Sequence, residues 1–125
     1  MMGMFNNVTV IGNLVSDPVL TVTSNDKVLC KARVAVNEPY QMNGEWHERT
    51  SYVNVVTWDG LAENIAASFG TGDRVIVVGR IDVRDYTTED GSRAYSTEIN
   101  ATEFGASVRR AYLPKIERVK SPVTV

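Results

Sequence analysis

The chain has 125 residues, 43% of them hydrophobic and 22% charged, which suits one soluble globular domain and excludes wholesale disorder. Its net charge of −2 argues against a protein that grips a polyanion by charge alone. The charge is uneven: residues 1–105 carry eight Lys/Arg against fourteen Asp/Glu, a net of −6, whereas residues 106–125 carry five against one, a net of +4.

In chain order, Met1–Asn6 reads as a loose lead-in, with no basic region running into an apolar stretch, so no signal peptide is expected. No apolar run is long enough to span a membrane. Val8–Leu14 alternates and is rich in β-branched residues, so it predicts a strand, with Gly12 marking a bulge or a close backbone approach. Asp17-Pro18 breaks it, Val19–Thr23 resumes extended structure, and Ser24-Asn25-Asp26 is a polar turn. In Val28–Val36 the positions Val28, Cys30, Ala32, Val34 and Val36 are all apolar, while Lys31 and Arg33 lie between them. That pattern gives a strand with one core face and one basic face. Cys30 is the only cysteine. It reads as a small core residue, forms no internal disulfide, and points to a reducing cytoplasm.

Asn37–Arg49 is hydrophilic and holds Tyr40, Trp46 and Gly44. It predicts a long hairpin loop of the kind that often binds ligands. Glu48–Trp58 follows as the third strand. Val53, Val55 and Thr57 share one face, and Tyr52, Asn54, Val56 and Trp58 share the other. Asp59 is a candidate cap for a helix over Leu61–Phe69, whose apolar side carries Leu61, Ile65 and Phe69. Gly70 and Gly72 end this helix, which reads as a plug for the open end of a barrel. Val75–Arg84 is a fourth strand with Val75, Val77, Gly79, Ile81 and Val83 on one face and Arg80, Asp82 and Arg84 on the other, a face that Tyr86 continues. Asp90-Gly91 signals a hairpin, and Ala94–Phe104 returns as the fifth strand. The remainder is basic and contains Pro114 and Pro122. Residues 1–111 are therefore expected to form the domain, and 112–125 a basic, partly flexible extension.

Five strands with one short helix between the third and fourth is the pattern of the all-β OB-fold, a Greek-key barrel. Catalysis is poorly supported. His47 is the only histidine and reads as a solvated loop residue, the carboxylates are scattered, and neither a phosphate-binding glycine motif nor a Cys/His metal set is present. The chain is expected not to be an enzyme and to carry no cofactor or metal. Three strands share a different feature, a face too polar or too aromatic for a core: Lys31 with Arg33; Tyr52, Asn54 and Trp58; and Arg80, Arg84 and Tyr86. Brought together, these faces would line a groove with guanidinium groups and rings, which suits single-stranded nucleic acid. The same pattern also fits rings packed against a neighbouring subunit, with the charged residues simply solvated.

VTVIGNLVSDP, ERTSYVNVVTWDGLAENIA, GDRVIVVGRI and the DG hairpin ending in STEI together resemble the bacterial single-stranded DNA-binding protein family over about Asn7–Ala111. The resemblance implies an OB-fold, sequence-independent binding of single-stranded DNA in replication, recombination and repair, and homotetramers built by pairing of first strands. It also implies partners among replication and repair proteins, and a cytoplasmic, nucleoid-associated location with no membrane attachment. It carries base stacking onto Tyr40, Tyr52, Trp58 and Tyr86. Trp46 could support Tyr40, and Lys31, Arg33, Arg80 and Arg84 are the phosphate candidates. Tyrosine offers a smaller ring face than tryptophan, and Asp82, Asp85, Glu89 and Asp90 make the second hairpin more acidic than tight DNA binding favours. Members of the family typically carry a long tail with an acidic tip. Here the sequence ends in Ser121-Pro122-Val123-Thr124-Val125, which implies either a trimmed tail or a tail-less paralogue with a specialised role in DNA uptake or on a phage or mobile element. An alternative is an OB-fold subunit of a replication-restart assembly that contacts mainly protein and binds DNA weakly.

Overall fold

A computed structural model describes residues 5–119. Six strands and one helix follow in the order β1 (Val8–Leu14), β2 (Val19–Val22), β3 (Val28–Met42), β4 (Glu45–Trp58), α1 (Asp59–Ser68), β5 (Arg74–Thr87) and β6 (Arg93–Ala106). The sheet closes on itself. β1 pairs antiparallel with β5, β5 with β6 and β3 with β4, while β6 runs parallel to β4 and β1 returns to β3. This is the five-stranded barrel that the strand order implies. β1 and β2 act as successive halves of one bent strand, because β3 receives β1 at Ala35 and Val34 and β2 at Lys31–Val28.

The bend depends on two local features. Gly12 lies so close to β3 that a Cβ there would collide with the Ala35 carbonyl oxygen, so only glycine lets β1 cross at this point. Past the bend, the Asp17 carboxylate accepts hydrogen bonds from the Thr71 backbone N–H and hydroxyl, both at 2.8 Å. Those bonds, the backbone one first, hold the Asp17 carboxyl below the ordinary carboxylate range.

The alternating apolar positions of β3 do face inward. Cys30, Ala32 and Val34 are buried with Leu14, Val55, Val75, Val77 and Ile99. Each fully buried aliphatic side chain of this kind contributes about 1.5–3 kcal/mol. α1 closes one end of the barrel by burying Ala62 and Ile65 against Cys30, with the Phe69 and Phe104 rings meeting edge to face at 5.1 Å. Burial also pushes the Cys30 thiol above its usual pKa.

Two local expectations are corrected. Asn37–Arg49 is not a loop: β3 and β4 run on as paired strands from Asn37↔Thr50 to Met42↔Glu45. They are joined by Asn43-Gly44 alone, with φ of 52° and 79°. An Asn-Gly pair with two positive φ values makes the tight turn whose twist matches paired strands, so polar composition does not decide the matter. Asp59 does not cap α1 either. The N-cap position is Trp58, no side chain caps it, and Asp59 is itself the first helical residue, at φ 60°. The expectations for Met1–Met4 and for 120–125, including the chain's last five residues, lie outside the described residues.

Candidate nucleic-acid interface

Residues directly opposite in a strand pair share a face of the sheet, so register decides which candidates meet. On the outer wall β3 contributes Lys31 and Arg33, opposite Val56 and Asn54 of β4, and Tyr52 follows opposite Ala35. The parallel pairing sets Asn54 beside Glu98 of β6, and Glu98 in turn lies opposite Asp82 of β5. Arg80, Arg84 and Tyr86 have the same parity as Asp82, opposite Asn100, Ser96 and Ala94. The three suspect faces therefore form one continuous wall. Ser16, Asp17, Lys31, Arg33, Asn54, Ser96 and Glu98 line an open groove of about 400 Å3 along it.

Within the wall the Arg33 guanidinium lies over the Tyr52 ring, 4.7 Å from its centre, and that ring is 57% exposed. A cation over a ring in water is worth about 0.5–1 kcal/mol, which favours this pose of the ring without locking it. Tyr86 is 52% and Trp46 70% exposed. Trp58 shares the wall, but it is half-buried opposite Leu29 at the start of α1. Val56 is buried despite its outward parity.

Two cations are already engaged. Arg84 pairs with Glu98 at 3.1 Å and Arg80 with Asp82 at 3.5 Å. Among the described residues, Lys31 and Arg33 face the groove without a carboxylate partner. The acidic second hairpin is tied up in a further pair, Arg93 with Asp85 at 3.4 Å. At its tip Asp90 is held below the ordinary carboxylate range by hydrogen bonds from Thr88 and Ser92.

Tyr40 does not join this wall. It lies opposite His47, two positions from Arg49, on the other face of the β3–β4 ribbon. There it stacks on His47 at 5.4 Å and carries the Arg49 guanidinium 4.9 Å from its ring centre. His47 is thus part of an aromatic stack, not of a loop. Tyr95, 65% exposed opposite Asp85, is a ring that sequence reasoning passed over. Its parity is that of Ile99, so it reads as a core position until the hairpin is seen to run beyond the barrel.

A model of the single-strand binding protein family matches residues 5–107. The chain belongs to that family. Similar proteins include the single-stranded DNA-binding protein of Deinococcus radiodurans, 35% identical over 89% of this chain and 37% of that protein. The single-stranded DNA-binding protein of Corynebacterium glutamicum is 36% identical over 82% of this chain and 47% of its own. Single-stranded DNA-binding protein 2 of Streptomyces coelicolor is 37% identical over 83% of this chain and 54% of its own. The chain thus spans about a third to a half of the length of these curated relatives. Among solved structures, the small single-stranded DNA-binding protein from Streptomyces coelicolor superposes with a TM-score of 0.71 at 29% identity, covering 86% of this chain and all of that one. Membership of this family of non-enzymatic DNA-binding proteins agrees with the expectation that the chain is not an enzyme. The family and these relatives lend no support to the restart-subunit alternative.

Proposed function

We propose that this chain binds and protects single-stranded DNA without regard to sequence, along the outer wall of the barrel. The observation that carries this reading is the Arg33–Tyr52 pair at the groove. It is a cation for phosphate and an open ring for a base, on a wall that also bears Lys31, Asn54 and Tyr86. Rings stack on any base for about 1–3 kcal/mol each, which gives affinity without sequence preference. Tyr52, Tyr86 and Trp46 are the leading stacking residues, Trp58 contributes an edge, and Tyr40 stacks from the ribbon's other face. Lys31 and Arg33 meet phosphates directly, whereas Arg80 and Arg84 must first leave Asp82 and Glu98.

In this reading the protein works in replication, recombination and repair, in the cytoplasm with the nucleoid. It assembles as a homotetramer through first strands, with residues 1–111 as the binding domain and 112–125 as a basic extension. Exposed Ile11 on β1, opposite Ile76 of β5, supports such an assembly.

Tryptophan fluorescence tests the reading, since Trp46 and Trp58 sit on the same wall. Titration with oligo-dT should quench it, with affinity falling as salt rises, and a duplex of equal length should bind far more weakly. Tyr52→Ala and Tyr86→Ala should each weaken binding by about 1–3 kcal/mol. Unchanged affinity in the double variant would remove these residues from the site. Light scattering that reports a monomer at working concentration would remove the tetramer.

A further inference from the structure

The strongest cations that the groove does not use lie past β6. Arg109, Arg110, Lys115 and Arg118 are all exposed, and among the described residues none is in an ion pair. Tyr112, between them, is 86% exposed. The root of this segment is a built cleft. Arg110 lines a cavity of about 200 Å3 with Asn13, Asp73, Arg74 and Ser107. Among the described residues the Nε of Arg74 is buried without a hydrogen-bond partner, although a buried guanidinium donor normally has one. The carboxylate in the cleft, Asp73, accepts a 2.8 Å hydrogen bond from the Gly70 N–H. The Nε itself is closed to solvent, so what the cleft offers an anionic oxygen is the exposed Arg110 guanidinium beside the charge of Arg74.

The segment also lies within reach of the groove. α1 begins immediately after Trp58, and its last residues, with Phe69, share a cavity with Leu113, Ile116 and Arg118. At 1.5 Å per residue α1 is about 15 Å long, a short stretch of extended strand. We infer that residues 109–118 form a second single-strand contact, a basic arm that continues the DNA path beyond the barrel wall. Arg110, with the Arg74 charge behind it, takes one phosphate, Arg109, Lys115 and Arg118 take others, and Tyr112 stacks a base. This rests on the reading of the outer wall as the primary DNA site. It also gives a role to the +4 end of a chain whose first 105 residues are acidic.

The test compares the full chain with a variant carrying Arg109→Gln, Arg110→Gln, Lys115→Gln and Arg118→Gln, and with Tyr112→Ala. Thymidine oligomers of about 6 and about 20 nucleotides serve as probes, bracketing a single OB-fold site. The arm predicts that the short oligomer binds all three proteins alike. The long oligomer should lose affinity about tenfold or more in the quadruple variant, with a salt slope shallower by up to about 2.8, at about 0.7 per phosphate on a single strand. Tyr112→Ala should weaken the long oligomer alone and leave the slope unchanged. Equal affinity for the long oligomer in every protein overturns the arm and leaves the groove standing. So does a matching loss on both lengths, or a change of oligomeric state with DNA binding intact. A wild-type chain that binds neither oligomer overturns both readings.

Discussion

Glu98, its side chain only 15% exposed, holds the Arg84 guanidinium at 3.1 Å beside the groove. DNA must displace that carboxylate to use the arginine, so Glu98→Gln should tighten single-strand binding several-fold. Titration at a series of salt concentrations should also find a salt slope steeper by about 0.7, one more phosphate neutralised; weaker binding would mean that Glu98 positions Arg84 instead of restraining it. Gly12→Ala tests the β1 crossing. The new methyl meets the Ala35 carbonyl, and overpacking of this kind costs about 1–3 kcal/mol, measurable as a lower midpoint in urea. At this scale the sequence was a partial guide. Parity put Lys31 with Arg33 on one face of their strand and Tyr52 with Asn54 on one face of theirs, and the register joins the two faces. Exposure was not legible, because whether Trp58 is open or half-covered depends on α1, and the Arg84 ion pair depends on Glu98 of β6, fourteen positions away, whereas Arg80 pairs with Asp82 on its own strand.

The β3–β4 hairpin was the element misread. Composition marked Asn37–Arg49 as a polar loop, but a ribbon that extends past its own barrel has no core on either side, so both faces can be polar while the ladder continues. The informative signal was Asn43-Gly44, which demands two left-handed residues and therefore a two-residue turn. Gly44→Val should cost about 1–2 kcal/mol through the left-handed conformation alone. The Cβ itself meets open space, so thermal unfolding should report the full backbone penalty without a packing term. β3 and α1 were legible because each is half core: alternation in one and i, i+4 spacing in the other survive only where one side is buried.

At the scale of the whole molecule, the order of strands and the single helix were enough to name the barrel, since few topologies accommodate that order. What joins its parts was not visible. The Asp17–Thr71 bonds tie the β1–β2 bend to the loop after α1 across fifty-four positions. Asp17 and Asp90 both sit below the ordinary value of 3.8 in the folded chain. Their contribution to stability is therefore present above about pH 4 and is lost as the pH falls through their folded values. Asp17→Ala should lower the melting temperature at pH 7, and the gap to the unaltered chain should narrow as the pH falls below 3.8 through the folded value of Asp17. The ribbon, finally, carries rings on both sides, Tyr52 and Trp46 on one and Tyr40 with His47 on the other. A strand that engages both must turn around the ribbon's edge. On the proposed reading of the wall as a DNA site, the hairpin would act as a post about which the polymer winds, and the length shielded from a nuclease would exceed the contour of the groove itself.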